Sequence, residues 1–134
     1  MSVFASPRFL RNVLLADAVS CVATGALQLA FTAPLAQWLN LPTALLAGTG
    51  WFLLAYAAAV ALLATRQPIA RPLVGLVVAG NAGWALGCIA LLASGWVQPT
   101  GLGMAWVLAQ AATVAVLAEL QFTGLRRSPV AGWA

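Results

Sequence analysis

A chain of 134 residues in which 63% are hydrophobic and 6% charged cannot be closed into a soluble domain, because such a domain needs about a quarter of its residues charged to cover its exterior. The net charge of +4 comes from six arginines and two acids. No basic cluster is longer than Arg126-Arg127, so the charge gives no reason to expect a nucleic-acid partner. Lipid replaces the missing polar surface, and four spans of about 20 residues with short turns use up the length without room for a soluble domain.

The first apolar run covers about 12–31, and Pro34 and Pro42 mark the following stretch, Thr32 to Pro42, as a break. The second run covers about 43–64 and ends at Thr65-Arg66-Gln67-Pro68. The third covers about 72–93 and ends at Ser94-Gly95-Trp96-Val97-Gln98-Pro99. The fourth covers about 100–123, with Thr100 as N-cap and Gly124 as its end. The expected fold is therefore all-α: a single integral membrane four-helix bundle over 1–134.

Charge in short loops decides orientation. Arg8 and Arg11 precede the first span, Arg66 and Arg71 lie between the second and third, and Arg126 and Arg127 follow the fourth. The two alternate loops are uncharged, so both termini are expected in the cytoplasm. Trp38, Trp51, Trp96 and Trp106 then fall near the opposite interface, where amphipathic rings prefer to sit, while Trp84 reads as a packing residue. Ala18-Val19-Ser20-Cys21 faintly imitates a lipoprotein cleavage box, but Asp17 inside the apolar run and the missing leucine argue for a retained first helix.

The segment Leu54 to Ala64 aligns without gaps on Leu108 to Ala118, with most positions identical. Ala16-Asp17-Ala18 also matches Gly80-Asn81-Ala82, which suggests a tandem duplication of a transmembrane hairpin. Both hairpins start on the same side, so the repeats are parallel and their pseudo-two-fold axis follows the membrane normal. Equivalent residues face that axis together or avoid it together. Asp17 and Asn81 share a depth under this alignment and are expected to pair, amide to carboxylate.

Polar groups inside a membrane are costly, so each needs a reason. Asp17, Ser20, Cys21, Thr24 and Gln28 form one stripe of the first helix at spacings of three and four, which faces protein. Gly83 and Gly87 are expected at a close helix contact. Asp17, Asn81, Gln110 and Glu119 are the candidate intramembrane polar site. Two readings of the carboxylates stand side by side. Asp17 and Glu119 either anchor the bundle by reaching interfacial water or arginine, with Arg126 two turns from Glu119, or they serve a cation- or proton-coupled site.

No catalytic, metal or cofactor residue is expected: there is no histidine and no CxxC, and Cys21 and Cys88 stand apart in the spans as packing thiols. Leu14-Leu15-Ala16-Asp17-Ala18 after Arg11, Asn81 in the third helix, and Leu108-Ala109-Gln110 through Glu119-Leu120-Gln121-Phe122 to Arg126-Arg127 together resemble a group of small four-helix bacterial inner-membrane proteins. The resemblance covers nearly the whole chain and implies fold and location, with no activity. Small multidrug-resistance transporters are similar in size alone, since their central first-helix glutamate has no match here. The expectation is a non-catalytic subunit, scaffold or apolar-ligand binder in the lipid bilayer, alone, as a homo-oligomer or with a membrane-protein partner. The alternative is a small transporter.

Overall fold

The computed structural model describes residues 7–66 and 69–127, and among these it forms five helices and no strands. They are α1 (Pro7–Ala30), α2 (Thr32–Leu39), α3 (Thr43–Thr65), α4 (Arg71–Ser94) and α5 (Gly101–Arg127). All except α2 are long and apolar enough to cross a membrane, which gives the integral membrane four-helix bundle that composition demanded.

Three boundaries differ from expectation for identifiable reasons. Helix α1 starts five residues earlier than the apolar run, at Pro7, a residue whose missing N–H costs nothing in a first turn. This brings Arg11 onto the helix, where its Nε donates to the Ala64 carbonyl at 2.8 Å and so caps the end of α3. Helix α5 continues through Gly124 to Arg127. Gly124 is a packing glycine rather than a stop, since a Cβ there would meet Leu10 and Phe9 side chains at 3.2 Å. At the other end of α5, Thr100 is the cap expected of it, with its Oγ1 accepting from the Gly103 N–H at 3.1 Å.

The third difference is α2, where only a break was expected. Pro34 is its third residue, inside the first turn where no N–H is needed, so the proline is compatible with a helix that begins after the bend at Phe31. Leu35 and Leu39, one turn apart, are buried, while Trp38 stays exposed at the end of the bundle. Asn40, at φ 54°, closes α2 in the left-handed conformation that asparagine tolerates. The loop that follows is latched to the loop before α5. Thr100 donates from Oγ1 to the Trp38 carbonyl at 2.8 Å and from its backbone N–H to the Leu39 carbonyl at 3.1 Å. The Asn40 amide donates to the Gln98 carbonyl.

Helix α1 packs along α3 and α4 along α5, so the molecule is two hairpins side by side. Between hairpins, α1 touches α5 over a shorter stretch, α3 barely reaches α4, and α1 has no backbone contact with α4. The helices expected to be equivalent, α1 with α4 and α3 with α5, thus occupy opposite corners of the bundle. That is the arrangement a central two-fold axis requires.

Close approach within the first hairpin comes from Gly25 and Gly50, not from the glycines of α4. A Cβ on Gly25 would stand 2.8 Å from the Gly50 carbonyl oxygen, and one on Gly50 would stand 3.0 Å from Leu29 Cγ. Gly83 and Gly87, expected at a helix contact, have nothing within 4 Å of a built Cβ and are exposed. The inner face of α4 carries Val74, Val77 and Asn81 instead, and Gly83 and Gly87 lie well around the helix from Asn81 at 100° per residue. Gly25→Ala should therefore cost about 1–2 kcal/mol in detergent unfolding as backbone is forced apart. Gly83→Ala should be neutral or stabilising by up to about 1 kcal/mol through helix propensity. The reverse order would place the α4 glycines at an interface.

Candidate functional site

The centre of the bundle is polar. Asp17, Asn81 and Gln121 are 0%, 2% and 0% exposed, and they come from α1, α4 and α5. Asp17 Oδ2 accepts from Asn81 Nδ2 at 2.8 Å and from Gln121 Nε2 at 2.7 Å, while Asn81 Nδ2 also donates to Gln121 Oε1 at 2.9 Å. The three side chains close a ring. Helix α3 adds Tyr56, whose hydroxyl lies 3.1 Å from the Val77 carbonyl and 3.4 Å from Asn81 Oδ1. The Cys21 thiol, one turn along α1, approaches Asp17 Oδ1 at 3.6 Å.

Every membrane-crossing helix thus contributes a side chain to one knot. Both amide hydrogens of Asn81 are used, and the carboxylate is engaged on both oxygens. The Asp17 to Asn81 pair is the one the doubled hairpin leads one to expect. Gln121 is the member that sequence reasoning passed over in favour of Glu119. Eleven residues are close to three full turns, so Gln121 shares a face with Gln110, whereas Glu119 is turned away and exposed. Asp17 also differs from the anchoring expectation. It lies about 9 Å along α1 from Arg11, at 1.5 Å per residue, and it is satisfied by amides rather than by water or arginine.

A second polar knot lies about 16 Å further along α1, eleven residues from Asp17, at Gln28. Gln28 is 1% exposed. Its Nε2 donates to the Leu46 carbonyl and to Thr49 Oγ1, both at 2.9 Å, and its Oε1 accepts from Gln110 Nε2 at 3.3 Å. Gln110 Oε1 accepts from Trp84 Nε1 at 3.3 Å. Trp84 is more than filler: it donates to this knot and stacks on Phe52, with ring centroids 5.6 Å apart and planes 9° apart. Gln110 therefore belongs to a different cluster from Asp17 and Asn81. Of the four candidate residues, two meet, one joins the second knot, and Glu119 joins neither.

Between the knots a crevice of about 200 Å³ opens beside α1 and α5. Ser20, Cys21 and Thr24 line it on one side, and Trp84, Trp106 and Gln110 on the other. A smaller cavity of about 60 Å³ lies beyond Trp106 and Gln110, against Gln28, Thr49 and Cys88. The indole N–H of Trp106 is buried with no acceptor among the described residues. Cys21 and Cys88 are both free thiols, and among the described residues no three His, Cys, Asp or Glu side chains gather where they could hold a metal ion. What the arrangement offers is hydrogen bonding inside an apolar wall.

Comparisons with protein families, with curated proteins and with solved structures gave no match to this chain.

Proposed function

We propose that this chain is a non-catalytic multi-pass protein of the bacterial inner membrane, a scaffold or subunit whose bundle accommodates an apolar ligand. Its resemblance to small four-helix inner-membrane proteins supports the location, and the six arginines at one end support cytoplasmic termini. The observation that favours the scaffold reading over transport is the burial of Asp17. Proton- or cation-coupled transport asks an intramembrane carboxylate to meet its substrate, but this one is fully buried and bonded to Asn81 and Gln121. Such a ring favours one fixed packing of the two hairpins.

Reporter fusions at residues 1 and 134 are expected to read cytoplasmic, and fusions near Gln37 and Gln98 periplasmic. Purification of the full chain in mild detergent through a tag after residue 134 is expected to retain a stoichiometric membrane-protein partner or a second copy. A proton or cation flux in proteoliposomes that Asp17→Asn abolishes, with the bundle still folded, would replace this reading with transport.

A further inference from the structure

The crevice has mostly apolar walls with the Gln110 amide among them. A void of about 150 Å³ in a protein core holds one benzene ring, so the 200 Å³ here suits one or two fused rings rather than a drug-sized molecule. Trp84 and Trp106 supply flat faces, and Trp84 is held in place by Phe52. The lip is formed by Ala109 and Thr113, both exposed on α5. A guest therefore arrives sideways from the hydrocarbon.

The polar atoms around the crevice include both acceptors and one unused donor. Ser20 and Thr113 spend their hydroxyl hydrogens on carbonyls of their own helices, at Asp17 and Ala109, which leaves their oxygens as acceptors. Gln110 uses its carbonyl oxygen for Trp84 and one amide hydrogen for Gln28, both at the long distance of 3.3 Å, and its other amide hydrogen has no acceptor among the described residues. The Trp106 N–H also has none among the described residues, but it is buried away from the crevice surface. A donor lacking an acceptor in an apolar setting is costly, and the remaining Gln110 hydrogen defines what the guest must carry.

We infer that this crevice binds the planar head of a membrane-dissolved aromatic carbonyl compound, a quinone-like group of one or two rings with an oxygen that accepts from Gln110. This rests on the proposed apolar-ligand role and specifies its ligand class. The seat is non-covalent and requires no chemistry from the protein.

The test uses the full chain in mild detergent and two probes of the same shape. One is 2,3-dimethyl-1,4-naphthoquinone, whose substituted ring cannot add the Cys21 or Cys88 thiol, and the other is 2,3-dimethylnaphthalene, which lacks the oxygens. The quinone should raise the thermal midpoint saturably, since a ligand of the folded state stabilises it, with an apparent affinity roughly tenfold above that of the hydrocarbon. Gln110→Leu should abolish that preference while leaving hydrocarbon binding in place. Ala109→Trp, at the exposed lip, should block both probes without lowering the ligand-free midpoint. Equal affinities for the two probes, an undiminished quinone shift in Ala109→Trp, or no shift at all would each overturn the proposal. These outcomes concern the crevice alone, because partner capture and ion flux report separately on the scaffold reading.

Discussion

Asn81→Leu should lower the unfolding free energy of the bundle in detergent by about 2–3 kcal/mol, more than an average transmembrane hydrogen bond is worth. Measured interhelical bonds in membranes average about 0.6 kcal/mol because the separated helices find other partners. Here the loss is larger because the substitution removes two donated bonds at once. Asp17 Oδ2 keeps only Gln121, and Gln121 Oε1 is left buried without the Asn81 amide. A buried group stripped of its partner costs about 1–3 kcal/mol, and the branched leucine must also enter a position that is 2% exposed. Thermal or steric-trapping unfolding of the purified protein measures this directly. An effect within about 0.5 kcal/mol, typical of surface positions, would mean that the ring contributes little to holding the hairpins together.

Gly103→Ala should be as damaging, through backbone rather than side chains. Gly103 sits in the first turn of α5, and a Cβ built there collides with the carbonyl oxygen of Leu39 while also meeting Pro99 at 2.9 Å. That carbonyl cannot move away freely, because it accepts from the Thr100 N–H, and Thr100 also holds the Trp38 carbonyl. A single methyl therefore pushes apart the latch between the α2 end of the first hairpin and the start of α5. We expect a loss of about 3 kcal/mol, at the upper end of overpacking costs. Gly101→Ala, two residues away with nothing within 4 Å of its Cβ, is the control and should be neutral or slightly stabilising. If the two substitutions behave alike, the loops do not lock the hairpins.

These two sites compensate for a weakness intrinsic to the fold. Lipid gives no hydrophobic drive for one helix to associate with another. The hairpins share little backbone contact, chiefly α1 with α5 and α2 with α5. Several side-chain hydrogen bonds of the two knots run from one hairpin to the other: Asp17 to Asn81 and Gln121, Tyr56 to Asn81, and Gln28 to Gln110. Close packing of Gly25 on Gly50 holds the first hairpin internally, whereas polar knots hold it to the second.

The spans and the Asp17 to Asn81 pairing were legible in the sequence for simple reasons. Apolar length marks a membrane helix without tertiary knowledge, and two polar residues at matched distances from equivalent helix starts must share a depth. The faces were harder. On α5, Glu119 and Gln121 are both polar and nearly adjacent, and only the spacing of eleven from Gln110 reveals which one points inward. On α4 the glycines stood out, yet what turns the helix is the need of Asn81 and Trp84 for partners, which carries Gly83 and Gly87 outward. Helix α2 was hidden because Pro34 and Pro42 read as breakers, although a proline in a first turn breaks nothing. The crevice had no linear signal, since its lining comes from distant stretches of α1, α3, α4 and α5.

Asp17 acts as one member of an inter-hairpin ring, and the reciprocal exchange Asp17→Asn with Asn81→Asp probes that role at the ring itself. The exchange keeps the atoms of the ring and moves the carboxylate across the two-fold axis. A rotation of the Gln121 amide would present its N–H to residue 81 and its oxygen to residue 17, so all three bonds can re-form. The measurement is unfolding free energy for the two single variants and the double. Each single change should be destabilising and the double should recover most of the loss, with a coupling of about 1–2 kcal/mol. Additive losses, with the double variant the least stable of the three, would contradict it and leave Asp17 and Asn81 as neighbours that do not hold the bundle together.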